Sequence, residues 1–164
     1  IYTMNNRAEA FWMKKGILGD TVPLELNAKE LVHRNNKNSE LTVYGYTPMM
    51  VSVQCVQKTM DHCNHACVQY VLKDRYQKEF RGVCSCEFCY NTIYNTLPTS
   101  LLKEKEKAEK LGVKAYRLSF TIETQQETEK IVRAFVDVYL RGQKPDGQMQ
   151  TEETTKGHFQ RGVE

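Results

Sequence analysis

No cysteine lies before residue 55 or after residue 89. All six fall at 55, 63, 67, 84, 86 and 89. A local cluster needs a local reason: a metal, an iron–sulfur centre or disulfides. Other absences narrow the choice. No apolar run is long enough to span a bilayer, so no membrane is expected as a partner. The start, IYTMNNRAEAFW, lacks the basic leader and apolar core of a secretory signal. The expected location is therefore the cytoplasm, where thiols stay reduced and cysteine clusters favour metal over disulfide. The net charge of +3 is too weak alone to argue for nucleic acid. Lysines and arginines are scattered among acids, so no basic patch marks an RNA footprint. No H-E-x-x-H occurs, which leaves a zincin mechanism unsupported. No G-x-S-x-G occurs, and no Ser-His-Asp set stands out. A cysteine protease needs a thiolate beside a base, and these cysteines read instead as members of a cluster. The first residue is Ile1, so the chain reads as a piece of a longer protein whose missing N-terminal part is its first expected partner.

What is present suffices for one ordinary domain: 164 residues, 40% hydrophobic and 26% charged. Residues 1–6 read as a short strand. Residues 7–15 read as a helix capped by Asn6, with Glu9 three residues on and Gly16 at its end. Residues 22–26 are the next strand, followed by a cap at Asn27 with Glu30 and a short helix. Residues 40–53 form a third strand-like run interrupted by Gly45 and Pro48. YRLSFT at 116–121 is a fourth strand, and Thr124 with Glu127 forms a capping box. The helix behind it carries an apolar stripe of Ile131, Val132, Phe135, Val136, Val138 and Tyr139. Strands alternating with helices imply parallel βα units. The expected fold is α/β: a partial β/α (TIM-type) barrel of about four units, since a full barrel takes roughly 250 residues. It spans 1–142, with a cysteine-rich insertion at about 52–95, and 143–164 is a polar C-terminal arm.

Within the insertion, VQYVLKDRY and KEFRGV alternate as a β-hairpin with its turn at 76–78. Pro98 suits a first helical turn. Leu101, Leu102, Ala108 and Leu111 fit a buried stripe stopped by Gly112. The KEKEKAEK run is a solvated face with mixed-sign pairs rather than a binding patch. Cys55-x7-Cys63 and Cys86-x2-Cys89 make two pairs separated by 22 residues. Zinc and a 4Fe-4S cluster both accept four thiolates. Buried free thiols are the bland alternative, and a redox C-x-x-C at 86–89 is a weaker one. His62 and His65 flank Cys63 and suit either a mixed metal site or a loop surface. His33 and His158 read as surface residues.

At this point the chain resembles a known family. The runs ELTVYGYTPMMVSVQCVQKT, LKDRYQKEF, CEFCYNTIYNTLP, RLSFTIET and KGHFQRGVE look like the collagenase-like U-thirty-two peptidase family. The likeness is to the C-terminal part of its long clostridial-type members and covers nearly the whole chain. It implies the carboxyl-terminal portion of a β/α barrel and a 4Fe-4S cluster held by Cys55, Cys63, Cys86 and Cys89, with Cys84 and Cys67 as substitutes. Members carry a peptidase label. Several relatives instead take part in oxygen-independent hydroxylation of RNA or of a quinone precursor, using prephenate.

Polar residues near strand ends are the other candidates. On a barrel, Glu25, Arg117 and Glu123 would point into or above the mouth, as would Asn5, Tyr44 and Tyr46. Arg117 is able to grip a carboxylate in bidentate fashion. Ordinary strand polarity and capping account for these residues equally well. Three functions compete. One is an iron–sulfur enzyme of RNA or small-aromatic hydroxylation, with the isolated piece inactive. The second is a genuine protease acting on peptides. The third is a non-catalytic module held by a structural zinc-cysteine site. A half barrel leaves open strand edges, which the piece would cover by forming a homodimer or by folding its tail across them.

Overall fold

The computed structural model describes residues 1–60, 63–146 and 153–162. In chain order come α1 (Asn6–Lys14), β1 (Asp20–Thr21), α2 (Ala28–Leu31), β2 (Ser39–Gly45), β3 (Pro48–Ser52) and α3 (Val56–Thr59). Then follow β4 (Gln69–Lys73), β5 (Glu79–Ser85), β6 (Tyr90–Tyr94), β7 (Thr99–Ser100), α4 (Lys105–Lys110), β8 (Ala115–Ser119) and α5 (Gln125–Phe135).

Two sheets result. The larger is built on β2. One of its edges pairs in parallel with β8 along Glu40 to Gly45. A strand has only two edges, so β1 and β7 share the other. β1 pairs in parallel at Ser39 and Glu40, and β7 antiparallel at Tyr44 and Gly45. Tyr2 adds a parallel bridge to Thr21. Tyr2, β1, β2 and β8 therefore run parallel in chain order, each pair joined through a connection that includes helix. The smaller sheet is wholly antiparallel, in the order β3-β6-β5-β4. The fold is mixed α/β, and no closed barrel forms among the described residues.

The alternation of β2 explains which face the helices cover. Leu41 and Val43 are 3% and 1% exposed, inside a core with Leu31, Leu101, Leu102, Phe135 and Val138. Burying each large apolar side chain is worth about 1.5–3 kcal/mol. Glu40 and Thr42 point to the opposite, half-covered face. Beyond Gly45, which has φ 154°, the chain leaves this sheet. A Cβ there would lie 2.7 Å from the Ser119 carbonyl, so the close pairing of β2 with β8 requires glycine. The run 40–53 is thus two strands in two sheets rather than one.

Several local expectations hold. The capping boxes at Asn27/Glu30 and Thr124/Glu127 form. Leu101, Leu102, Ala108 and Leu111 are buried, and Gly112 (φ 63°) ends α4. Lys105–Glu109 and Lys107–Glu104 are the mixed-sign pairs. Others need correction. Asn5, not Asn6, caps α1 by accepting from the N–H groups of Arg7 and Ala8. Asn6 instead clamps the loop after α2, accepting from Asn35 N–H at 2.7 Å. Pairing of the second strand falls at 20–21 rather than 22–26; Pro23, lacking an N–H, cannot extend the ladder. Pro98 does not start a helix. It precedes β7, and its carbonyl accepts from Thr155 N–H at 2.9 Å.

Of the arm at 143–164, residues 153–162 pack back on the large sheet. Ser100 N–H donates to Thr155 O at 2.8 Å, and Phe159 enters the core at 6% exposure. Lys156 pairs with Glu104, which also pairs with Lys107. The tail thereby covers part of the edge at β7.

A buried polar knot pins the start of the chain. Arg34 donates to Thr3 O at 2.9 Å, Asn36 Oδ1 at 2.8 Å and Ser39 Oγ at 2.9 Å, and pairs with Asp20. Asp20 also accepts from Ser39 and Thr3. Every member is buried, and burial demands this degree of pairing.

Candidate metal centre

The cysteines gather at one end of the small sheet. β3 ends there at Ser52, β4 starts at Gln69, β5 ends at Ser85 and β6 starts at Tyr90. Cys55 follows β3 as the residue before α3. Cys63 and Cys67 lie on the loop into β4. Cys84 sits on β5, opposite Asn91. Cys86 and Cys89 bracket the single 3-10 turn Cys86–Phe88 that joins β5 to β6. The other end of β6, Tyr94, faces Pro48, where β3 leaves the large sheet. Four residue steps at ~3.4 Å place the cysteine end roughly 14 Å out along the strands.

The expected hairpin frames this end. β4 and β5 pair from Gln69↔Val83 to Lys73↔Glu79. Asp74 Oδ1 accepts from the N–H groups of Tyr76 and Lys78, and Gln77 takes φ 62°. Tyr70 lies over its cross-strand partner Gly82, where a Cβ would come within 2.3 Å of the ring. That glycine lets the ring cover Cys55, Cys84 and Cys86.

The sulfurs fall into distinct environments. Cys55 and Cys84 are buried with their Sγ atoms 3.6 Å apart. The Lys58 backbone N–H favours the Cys55 thiolate and lowers its pKa against the opposing effect of burial. Burial first, and then the neighbouring Cys55, push Cys84 up to about 11. Burial, then Cys63 and Cys89, also raise Cys86. Cys63, His65 and Cys86 bring their ligand atoms within 4.8 Å of one another, a group able to hold a metal ion. Cys89 turns through a left-handed residue (φ 50°) and sends its thiol to Cys86 O at 3.6 Å. His62 lies outside the described residues.

A thiolate-rich donor set suits soft metals. Tyr70 carries a buried hydroxyl with no hydrogen-bond partner, beside the buried cysteines. A sulfur-rich anionic centre would supply an acceptor for it. Gln57 Oε1 and Asn91 Oδ1 are buried without donors and gain nothing from such a centre. The residues present therefore fit a metal–thiolate group, though not every buried polar atom is explained by it.

The remaining candidates do not join this site. Glu25 is exposed. Arg117 forms an ion pair with Glu40 at 2.5 Å across β8 and β2. They line a cavity of about 430 Å³ with Tyr2, Thr21 and Lys114. Glu123 accepts from the N–H groups of Thr121 and Ile122 at 2.6 and 3.0 Å, holding the turn before α5. Asn5 is used as a cap, and Tyr44 is 4% exposed in the core. The Arg34–Asp20 knot and the Glu40 partner of Arg117 went unread in the sequence; both depend on strand register. His65 carried a signal, the C-x-H spacing from Cys63.

No protein-family model matches the chain, and neither does any curated protein or solved structure. No helix among the described residues is long and apolar enough to cross a membrane.

Proposed function

We propose that the cysteine end holds an iron–sulfur centre and that the chain is the carboxyl-terminal portion of a β/α barrel of the collagenase-like U-thirty-two peptidase kind. The activity proposed for the whole protein is redox modification of RNA or a small aromatic substrate, rather than peptide hydrolysis. The observation that carries this is the convergence of all six cysteines on one end of one small sheet. The parallel sequence Tyr2, β1, β2, β8 supports the barrel half of the reading.

The ligand set the resemblance implies is Cys55, Cys63, Cys86 and Cys89, with Cys84 and Cys67 as substitutes. A bound cluster supplies one-electron chemistry. The chain's own contributions are distinct. The Lys58 N–H favours the Cys55 thiolate, and the Tyr70 ring shields the buried sulfurs from water. Against proteolysis stands the placing of His65, which lies between two cysteines, Cys63 and Cys86, rather than beside a single nucleophile. Arg117 is already paired with Glu40 through one guanidinium nitrogen, so a substrate carboxylate would share or displace that partner.

Structural zinc is the second reading, and one distance favours it. Two thiolates on one tetrahedral zinc, with bonds of about 2.3 Å, stand about 3.8 Å apart. Cys55 and Cys84 stand 3.6 Å apart. Metal and acid-labile sulfide analysis on protein purified without oxygen separates the two. Iron and sulfide in matched amounts, with brown colour, support the cluster. Colourless protein with stoichiometric zinc overturns it and makes this end a clip.

A further inference from the structure

Building on the metal-centre reading, we infer that His65 is a ligand of the centre, at the corner that a four-thiolate set assigns to Cys89. The ligand atoms of Cys63, His65 and Cys86 lie mutually within 4.8 Å, and Cys89 stands outside that trio. Its thiol points at the Cys86 carbonyl, 3.6 Å away. The loop is shaped to present His65. Asn64 Oδ1 accepts from Ala66 N–H at 3.1 Å, closing a turn around His65, which takes φ 56°. A non-glycine residue held left-handed costs free energy that the loop must offset.

The substitution changes the chemistry. A neutral imidazole in place of a thiolate removes one negative charge from the centre. Replacing thiolate with imidazole on an iron–sulfur centre raises its reduction potential. With zinc, Cys63, His65 and Cys86 would supply three donors of a mixed sulfur–nitrogen site.

The test uses the full chain prepared without oxygen, with natural and 15N-labelled histidine. Pulsed electron paramagnetic resonance of the reduced, iron-loaded protein reads nitrogen coupling to the centre. The expected result is a histidine nitrogen coupling in the wild type and in Cys89→Ser, with iron content retained in Cys89→Ser. His65→Gln abolishes the coupling, whereas His62→Gln leaves it. No coupling in the wild type, coupling that survives His65→Gln, or an empty Cys89→Ser protein overturns the inference. Iron and sulfide without nitrogen coupling would sink this inference alone. If zinc is bound instead, the cobalt-substituted protein is read for the same nitrogen. Its presence would keep His65 as a ligand while the iron–sulfur reading fails. A protein that binds no metal overturns both.

Discussion

The two sheets have interiors of different substance. The large sheet is closed by carbon: Leu31, Leu41, Val43, Leu101, Leu102, Phe135 and Val138 fill it. The small sheet is closed by sulfur. Its buried cluster is Cys55, Cys84 and Cys86, with Val68 and Tyr70 the hydrophobic residues packed on it among the described residues. Its outward residues include exposed Met49, Met50, Val51 and Val71. A four-stranded sheet with so thin an apolar interior gains little from burial. On the metal-centre proposal, a bound metal would supply what the apolar core does not, because binding free energy at such sites is folding free energy. The large sheet stands on packing, and on this proposal the small one would stand on ligation.

Substitutions that break one sheet should leave the other in place, and their sizes differ. The largest effect belongs to the buried knot. Asp20→Ala strips Arg34 of its counter-charge and should cost roughly 3–5 kcal/mol, the usual penalty for an orphaned buried charge. Denaturant melting followed at the large sheet measures it, and the metal content of the surviving folded fraction should not change. Leu101→Ala, at a site 1% exposed, should cost about 2–5 kcal/mol through transfer and cavity terms. If either variant empties the metal site in protein that remains folded, the two interiors are not separate.

A smaller step is expected at α5. Thr124→Ala removes the hydroxyl that accepts from Glu127 N–H at 3.3 Å and should cost about 1 kcal/mol. The tail gives a pH-dependent version. Burial raises the Glu104 pKa, but Lys107 and Lys156 outweigh it, and the net value lies below the ordinary 4.5. A depressed folded value means the tie contributes stability above 4.5 and loses it as pH falls through the folded value. Wild-type protein should therefore lose more stability than Glu104→Gln as pH falls from about 5 into acid, measured by thermal melting at each pH. An equal loss in both would remove this tie from the account. The smallest effect is Arg117→Ala. Its pair with Glu40 is half exposed, so stability should change by less than about 1 kcal/mol.

Much of the large sheet was legible in the chain because its signals are local. Asn27 with Glu30 and Thr124 with Glu127 declare helix starts within four residues. The stripe from Leu101 to Leu111 declares its buried face by period. The split of 40–53 was harder. An apolar run looks the same whether it makes one strand or two, and only the pairing of Gly45 with Ser119 decides where the chain departs. Pro98 misled because proline suits a helix start and a strand start alike. The cysteine end was legible as a cluster but not as a ligand set. Spacing places Cys86 and Cys89 together, whereas the turn between them aims one thiol inward and the other at a carbonyl. The Arg34 knot left little local pattern, since its distant partners Thr3 and Asp20 meet it only through the fold.

The contrast between the two interiors is tested most directly by hydrogen exchange on the full chain, with metal bound and after its removal under reducing, oxygen-free conditions. Amides of β4, β5 and β6 should lose their protection when the metal leaves, while those of β2, β8 and α5 keep theirs. Unchanged protection across β4, β5 and β6 would contradict the account, because the small sheet would then stand without ligation.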